Sequence, residues 1–355
     1  MNLPLRADLV GAEPYGAPIL DVPVVLNVNE NPYGLTPEIA DEMGEAVRES
    51  ALRINRYPDR DALALRTDLA NYLDAGLTAE RVWAANGSNE IMQQLCTAFG
   101  GPEHTVLTFT PTYSMYPEYA RNTLTRYVTE PRLGDFTVDT QLVLEAAAKH
   151  QATMVLLARP NNPTGTGIPL EVIDEVCAGT DALIVVDEAY QEFSTEPSAV
   201  DLLDAHPNLI VSRTMSKAFA LAGGRVGYLA ASREIVDACR VVRLPYHLSA
   251  QTQAVARVAL RHADVLLAKV RELAAAARDF EQWARGRGYS VVDSVANFTL
   301  FGRFVDRHAV WQGLLDRGVL IRETGPDGYL RASVGTPEEM AALRRALDDL
   351  NPEKE

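Results

Sequence analysis

The chain has 355 residues, of which 47% are apolar and 23% are charged, and its formal net charge is −15. This length allows two domains with a sizeable core, and the acidic balance argues against nucleic acid or an anionic membrane as the main partner. An anionic ligand would therefore need a locally basic site, which makes the arginines inside motifs informative.

Cysteine and histidine usage argues against a disulfide framework and against a metal site. Cys96, Cys177 and Cys239 are widely spaced and form no C-x-x-C pair, so we predict reduced core residues. The six histidines lack the spacing of metal ligands. The N-terminus lacks the apolar run of a signal peptide, and no apolar stretch approaches the ~20 residues of a membrane span. We expect a soluble, cytoplasmic protein.

Residues 1–30 have weak periodicity and several turn residues. This pattern predicts an extended arm that packs on the small domain or on a partner subunit. Two tyrosines bracket the arm, Tyr15 in EPYGAP and Tyr33 in NENPYG. From the residues alone, both are best interpreted as anchors of their turns.

Two amphipathic helices are predicted next, over about 36–50 and 62–73. The first begins with Thr36 as N-cap and Pro37 at the first helical position. From about 82 to 231, short apolar runs alternate with helical patterns. The predicted strands of this part are Val82–Ala85, Thr105–Phe109, Thr153–Ala158, Ala182–Val186 and Leu209–Ser212.

Several of these strands are apolar at every position, as in VLLA and ALIVV. Such runs are typical of strands that are covered on both faces of a mainly parallel sheet. The alternation predicts a doubly wound α/β domain, in which ligands bind at the carboxyl ends of the strands. The polar motifs of this chain mostly follow predicted strands, in agreement with that rule.

The pattern changes after residue 245. A helical tract over about 250–287, broken near His262, precedes several strand-like segments, and the last helix begins with a capping box at Thr336. The predicted later strands are Ser290–Val292, Phe298–Phe301, Val319–Ile321 and Tyr329–Arg331. The predicted domains are an arm (1–30), a large α/β cofactor-binding domain (31–245) and a smaller α+β domain (246–355).

One lysine stands in an unusually apolar setting after a predicted strand. The segment Ser212–Tyr228 contains Thr214, Ser216, Lys217 and Arg225. Desolvation disfavours the ammonium form and makes the neutral amine available for Schiff-base chemistry. The hydroxyls and the arginine suit a phosphate beside that amine. Together they indicate pyridoxal phosphate (PLP) as cofactor.

Two further motifs follow strands. Gly87, Ser88 and Asn89 lie between a strand and a helix, where backbone N–H groups and the helix dipole bind phosphate; an ordinary turn with an N-cap is the alternative. Asp187 ends a buried strand and needs a cationic or hydrogen-bonding partner. It could pair with the protonated pyridine nitrogen of PLP, or it could act as a helix cap or in a structural ion pair.

Three more side chains could complete a PLP site. Asn162 lies in the turn NNPTG, and with Tyr190 it could donate to the phenolic oxygen of the cofactor. Tyr113 follows another strand and could stack on the pyridine ring. Each of these residues is weak evidence by itself. Together they favour a PLP site because each follows a predicted strand.

Taken together, these motifs resemble those of the histidinol-phosphate aminotransferases, within the fold-type I PLP-dependent aminotransferases. The resemblance extends over nearly the whole chain. It rests on NENPYG, RYPDRDALALR, NGSNEIMQQL, PTYSMYPEYAR, RPNNPTG, VDEAYQEF, RTMSKAFALAGGRVGY, RLPYHLS, ANFTLF and IRETGPDGYLRASVGTPEE.

The resemblance implies a role for each of these residues. Lys217 would carry the cofactor and shuttle a proton, Asp187 would pair with the ring nitrogen, and Tyr113 would stack on the ring. The implied contacts of the phenolic oxygen are Asn162 and Tyr190, and those of the phosphate are Gly87, Ser88, Asn89, Thr214, Ser216, Arg225 and the partner subunit's Tyr57. The implied substrate contacts are Arg331 and Arg322 for the anionic group, Asn162 and Tyr33 beside them, and Tyr15, Tyr116 and Tyr246 on the imidazole side.

The hypothesis that follows is a histidinol-phosphate transaminase that uses 2-oxoglutarate and forms a homodimer with shared active sites. Alternatives are an aromatic amino acid aminotransferase and a PLP-dependent decarboxylase of a phosphorylated amino acid. A non-catalytic ligand-sensing module is a further alternative, against which the acidic charge and the retention of Lys217 and Asp187 argue. Arg159 departs from the family, which has a small residue before PNNPTG, and it could add charge near the site or point away.

Overall fold

Strands and helices alternate along most of the chain in the computed structural model, which describes residues 4–354. The strands are β1 (Val24–Val25), β2 (Val82–Ala85), β3 (Thr105–Thr110), β4 (Arg126–Pro131), β5 (Met154–Ala158), β6 (Leu183–Asp187), β7 (Leu209–Thr214), β8 (Gly227–Ala230), β9 (Ser290–Val291), β10 (Phe298–Gly302), β11 (Val319–Leu320) and β12 (Tyr329–Ser333). The helices are α1 (Pro37–Ala51), α2 (Leu63–Leu73), α3 (Ser88–Phe99), α4 (Tyr116–Asn122), α5 (Thr140–His150), α6 (Leu170–Gly179), α7 (Arg233–Val242), α8 (Ala250–Arg261), α9 (Ala263–Gly286), α10 (Arg307–Leu315) and α11 (Pro337–Leu350).

The largest sheet has seven strands in the order β2-β8-β7-β6-β5-β3-β4. Strands β3 to β7 run parallel, and β8 is antiparallel to both of its neighbours. The predicted doubly wound, mainly parallel α/β fold is confirmed. Because β2 and β7 both run opposite to β8, the carboxyl ends of β2, β3, β5, β6 and β7 lie along one edge of the sheet.

The large sheet separates two apolar cores, because successive side chains of a strand point to opposite faces. In β5, Val155 and Leu157 belong to the core that contains side chains of α1, α2, α5, α6 and α8. Met154 and Leu156 belong to the other core, with side chains of α3, α4 and α7. All residues of β5 are buried, as its uninterrupted apolar run predicts.

A second, antiparallel sheet has the order β12-β10-β9. Its core includes Phe301 of β10, Phe280 of α9 and Leu343 of α11. Thr336 begins α11 with the predicted capping box, and β1 pairs in parallel with β11. The predicted domain boundaries remain predictions; α8, which follows the second boundary, packs in a core of the large sheet.

Strand β4 is not among the strands predicted from the sequence. It lies at the edge of the large sheet, and its residues are half-buried or exposed, so it lacks the apolar run that marks the central strands.

Within residues 4–354, no helix is long and apolar enough to cross a membrane, and no group of three or more His, Cys, Asp or Glu is placed to hold a metal ion. The three cysteines are free and buried, as predicted.

Candidate active site

A cavity of about 320 Å³ opens where the central strands end. Its walls come from the carboxyl ends of β5, β6 and β7, the turns after β2 and β3, the N-terminal arm, and β12 with the loop before it. The predicted site residues that line it are Tyr15, Ser88, Asn89, Tyr113, Asn162, Asp187, Tyr190, Thr214, Ser216, Lys217, Arg225, Arg322 and Arg331. The fold therefore brings together side chains that are distant in the sequence.

One end of the cavity has the groups that bind a phosphate. Helix α3 begins at Ser88, and the N–H groups of a first helical turn lack intrahelical partners and attract anions. Arg225 lies against Gly87, where an added Cβ would come within 2.5 Å of its Nη2 atom. The Nη1 atom of Arg225 donates to Ser216 Oγ at 3.4 Å, and Thr214 Oγ1 lies 3.0 Å from the same oxygen.

Gly227 allows this end of the cavity to form. It is the first residue of β8, and a Cβ added to it would lie 2.1 Å from Ser88 N and 2.2 Å from the carbonyl carbon of Gly87. Neither of these backbone atoms can move without displacing the start of α3. Glycine at this position therefore fixes the turn between β2 and α3 against β8.

Asp187 ends β6 as a buried carboxylate. Its Oδ2 accepts a hydrogen bond from the Tyr116 hydroxyl at 3.0 Å, and its Oδ1 accepts one from Ala189 N at 3.3 Å. Burial raises the pKa of Asp187 to about 6, while these two hydrogen bonds act in the opposite direction. A cationic ring nitrogen placed beside this carboxylate would compensate the cost of its burial.

Lys217 is a half-buried lysine that forms no ion pair with a carboxylate among the described residues. Its Nζ donates to the carbonyl oxygen of Val28 at 2.8 Å. Burial, together with the positive charges of Arg331 and Arg225, lowers the pKa of Lys217 to about 8, while the charge of Glu30 acts in the opposite direction. A large share of this amine is therefore neutral near physiological pH, as nucleophilic and proton-transfer chemistry requires.

Two arginines, Arg322 and Arg331, also line the cavity. Arg331 is buried; one of its Nη atoms donates to Asn27 O at 2.7 Å and the other to Asn162 Oδ1, while its Nε has no partner. Burial lowers the pKa of Arg331 to about 10. The backbones of Arg322 and Arg331 exchange two hydrogen bonds of 2.9 Å. Within residues 4–354 neither guanidinium is paired with a carboxylate, so the two are available to an anion.

A family model for class I and II aminotransferases matches residues 22–347 of the chain. This chain belongs to the class I and II aminotransferase family. It is 57% identical to the histidinol-phosphate aminotransferase of Thermobifida fusca over 98% of this chain and 95% of the relative. It is 54% identical to histidinol-phosphate aminotransferase 3 of Burkholderia lata, over 98% and 96%.

The fold of this aminotransferase is also that of a solved relative. The crystal structure of histidinol-phosphate aminotransferase from Sinorhizobium meliloti in complex with pyridoxal-5'-phosphate superposes with a TM-score of 0.82 at 26% identity, covering 93% of this chain and 91% of that one. The resemblance, fold, enzyme class and cofactor expected from the sequence are thereby confirmed.

Five predicted site residues of the aminotransferase do not line the cavity. Gly87 lies directly behind it, in contact with Arg225 as described above. Tyr57 is 80% exposed, and its ring stacks on that of Tyr246 at a centroid distance of 4.4 Å. Tyr33 is half-buried, with Lys269 Nζ 5.1 Å from its ring centroid. The roles expected of these residues remain predictions.

Tyr116 is the fifth of these residues, and its position does not support the expected contact with the substrate's imidazole. Its side chain is fully buried, and its hydroxyl is held by Asp187 on the protein side of that carboxylate. It therefore lies beyond the cavity wall in this aminotransferase. The structure places it as a support for Asp187 instead.

Sequence reasoning missed several cavity residues, of which Asn27 and Asn29 have the most contacts. Asn27 O accepts from Arg331, and Asn29 Nδ2 donates to the Tyr190 hydroxyl at 3.0 Å. Asn29 has a left-handed backbone with φ of 56°. Asparagine is one of the few residues that tolerate this conformation, so the pair of asparagines after an apolar run could have indicated a turn with a function.

Arg159 points away from the cavity, which decides between the two possibilities that the sequence allows. It is 1% exposed, and it donates through Nη1 to Glu188 Oε1 at 3.0 Å and through Nε to Ile168 O at 2.7 Å. Glu188 Oε2 also accepts from Arg213 Nη2 at 2.9 Å, and Arg213 Nη1 lies 3.5 Å from Glu192. These four residues, Arg159, Glu188, Arg213 and Glu192, form what we call the buried ion network.

Proposed function

We propose that this protein catalyses PLP-dependent transamination between L-histidinol phosphate and 2-oxoglutarate, which gives imidazole-acetol phosphate and L-glutamate in histidine biosynthesis. The observation that carries the proposal is a single cavity that contains a half-buried lysine of lowered pKa, a buried aspartate and two arginines without carboxylate partners. The names of relatives that align over almost their full length support the choice of substrate.

The residues present fit PLP. The start of α3 with Ser88, the hydroxyls of Thr214 and Ser216, and the Arg225 side chain pressed on Gly87 would hold its phosphate. When bound, PLP supplies an electron sink through its protonated ring and an aldehyde carbon that joins an amine. Asp187 would keep the ring nitrogen protonated, and Tyr113, which lines the same wall, would cover the ring. Asn162 and Tyr190 would face the phenolic oxygen.

Lys217 is assigned the proton transfers. Its neutral Nζ would accept the proton that leaves the substrate's Cα. Its ammonium form would then donate that proton to C4′ of the cofactor. Carbonyl oxygen Val28 O holds Nζ at 2.8 Å, which orients the amine whenever it is not covalently engaged. Burial and the nearby positive charges of Arg331 and Arg225 keep its pKa low enough for both directions of transfer.

Arg331 and Arg322 would receive the anionic group of both substrates in turn. Histidinol phosphate carries a phosphate, and glutamate and 2-oxoglutarate carry a side-chain carboxylate, so one guanidinium pair can serve both. Tyr15 lines the cavity and lies 3.1 Å from Ser114 Oγ through its hydroxyl, and it is our candidate for the imidazole side. Tyr33 and Tyr246 remain candidates for contact with the substrate. Neither lines the cavity, so a movement of the arm or the binding of a second subunit would have to bring them closer to it.

We also propose a homodimer in the cytoplasm. Tyr57 and its surroundings carry large apolar side chains that are exposed in one chain: Leu52 is 74%, Ile54 67% and Leu244 74% exposed. Contiguous exposure of this kind marks an interface, and such an interface would bring Tyr57 to the cofactor phosphate of the partner.

Sedimentation should give twice the chain mass of 38.8 kDa. Mixing inactive Lys217→Ala and Tyr57→Ala chains should restore activity in one site of the hybrid dimer.

The test of the catalytic proposal is a paired assay with purified protein, PLP and 2-oxoglutarate. Histidinol phosphate should be turned over faster than phenylalanine, with one glutamate formed per keto product, and Lys217→Ala should abolish both turnover and the visible band of the bound cofactor. Much faster turnover of phenylalanine would favour the aromatic aminotransferase. Carbon dioxide release from a phosphorylated amino acid without use of 2-oxoglutarate would favour the decarboxylase.

A further inference from the structure

Three consecutive residues of the N-terminal arm contact three central groups of the cavity. Asn27 O accepts from Arg331 at 2.7 Å, Val28 O accepts from Lys217 at 2.8 Å, and Asn29 Nδ2 donates to the Tyr190 hydroxyl at 3.0 Å. The first two contacts use the backbone and place no demand on the side chain. The third depends on the identity of residue 29.

The orientation of the Asn29 amide is fixed by Ser333. The backbone N–H of Asn29 donates to Ser333 Oγ at 2.8 Å, and Ser333 Oγ in turn lies 2.9 Å from Asn29 Oδ1. A hydroxyl has a single proton. In this arrangement Ser333 Oγ accepts from the backbone and donates its proton to Oδ1, and the NH₂ group of the amide faces Tyr190.

The orientation of Asn29 determines what Tyr190 can do. An amide nitrogen donates but does not accept, so the Tyr190 oxygen accepts a hydrogen bond from Asn29 and its own proton must be directed elsewhere. Tyr190 lines the cavity, its ring is held edge-on by Phe298 at a centroid distance of 5.0 Å, and its hydroxyl has no other hydrogen-bond partner in residues 4–354. The remaining direction for the proton is into the cavity.

We propose that Asn29 is a positioning residue that makes Tyr190 an obligatory hydrogen-bond donor towards the phenolic oxygen of PLP. The inference rests on the proposed function, because it takes the place of Tyr190 beside that oxygen from there. The same segment connects the arm with β12. Arg331 and Ser333 lie two residues apart in that strand, and they contact Asn27 and Asn29 respectively.

The consequence is measurable in the cofactor's spectrum. The anionic phenolic oxygen stabilises the proton on the linkage between lysine and cofactor, and a donor to that oxygen withdraws part of this stabilisation. Tyr190 held as a donor therefore lowers the pKa of the linkage. Any change that turns the Tyr190 proton away from the cavity should raise the pH midpoint at which the visible band shifts.

The experiment is a pH titration of that band in the PLP-loaded protein. Asn29→Asp places an acceptor of the same shape against Tyr190, so the tyrosine proton turns to the carboxylate, and the midpoint should rise by about one pH unit, close to the rise in Tyr190→Phe. Asn29→Gly suits the positive φ and only frees the hydroxyl, so a smaller rise is expected. Ser333→Ala should give a similar small rise.

Asn208→Asp is the matched control. Asn208 directly precedes β7, at the strand end remote from the cavity, and its Nδ2 donates to three backbone carbonyls between α6 and β6, those of Cys177, Thr180 and Ala182. The substitution therefore removes an amide donor without touching Tyr190 and should leave the midpoint unchanged. If Asn29→Gly and Ser333→Ala both have the midpoint of the parent protein while Tyr190→Phe has a raised one, the role of Asn29 is overturned and the proposed function is left intact. A parent protein that shows no visible band with PLP would overturn the proposed function as well.

Discussion

The ends of β6 and β7 carry two sets of buried polar and charged residues on opposite sides, and the charges of the two sets are compensated differently. Asp187 and Thr214 line the cavity, while the adjacent Glu188 and Arg213 belong to the buried ion network. Consecutive strand residues point to opposite faces, so each strand end contributes one residue to each set.

The buried ion network satisfies its charges internally. Glu188 accepts hydrogen bonds from Arg159, Arg213, Ser198 Oγ and Ala199 N. Burial by itself lowers the pKa of Arg213, but the charges of Glu188 and Glu192 outweigh that effect and raise it. In the cavity, by contrast, burial lowers the pKa values of Lys217 and Arg331, and neither forms an ion pair with a carboxylate within residues 4–354. Charges that are paired within the chain fix the strand ends, and charges left unpaired are available to ligands.

The largest expected effect comes from breaking the paired set. Glu188→Gln leaves the guanidinium groups of Arg159 and Arg213 buried without their shared carboxylate, and removal of one partner from a buried ion pair costs about 3–5 kcal/mol. The free energy of unfolding, measured by urea denaturation of the PLP-free protein, should fall by that amount. Glu45→Gln, which removes an exposed partner of Arg48, is the control and should leave the denaturation midpoint in place. Equal stability of the Glu188 variant and the parent would contradict the role assigned to the network.

A smaller effect is expected on the unpaired side. Arg331→Lys replaces a planar guanidinium, which can bind an anion through two N–H groups, by a single ammonium group, and it removes the contacts with Asn27 and Asn162. The KM values for histidinol phosphate and for 2-oxoglutarate should therefore both rise, by about 10- to 100-fold. Steady-state kinetics with each substrate varied would measure this. Arg344→Lys, at a partly exposed ion pair with Asp279, should change neither KM. A rise for only one substrate would show that the two anions do not share Arg331.

The most subtle test uses the pKa of Lys217. The rate at which PLP-free protein captures PLP should increase with pH around a midpoint of about 8, where an ordinary lysine is only roughly 0.3% neutral. Stopped-flow absorbance over pH 6–10 would give this midpoint. Because the charge of Arg331 lowers the pKa of Lys217, Arg331→Gln should move the midpoint upwards. A midpoint above 10 in the parent protein would mean that burial does not tune this amine.

Much of the fold could be predicted because its signals are local. The apolar runs of β5 and β6, the cap at Thr36 and the break near His262 each indicate their element within a few residues. Site residues such as Lys217 and Asp187 could be predicted because each follows a strand whose carboxyl end must lie at one edge of the sheet.

What could not be predicted depends on contacts between distant parts of the chain. Asn29 meets Ser333 across 304 residues, and nothing near either residue in the sequence indicates the other. Arg159 could have been placed only by knowing that Glu188 turns away from the cavity, although the period of two in β6 is a hint of this. Tyr116 has the residue type of a ligand contact, and only its burial behind Asp187 shows otherwise.

The close approach of Gly227 to the turn before α3 bears on how this protein can change over evolution or in engineering. With Ser88 N only 2.1 Å from where a Cβ would stand, even alanine would have to displace the backbone at the start of α3, which we propose to hold the cofactor's phosphate. A saturation library at this codon should therefore return the parent residue almost alone. Redesign of the enzyme for a different cofactor would have to begin by moving a whole strand.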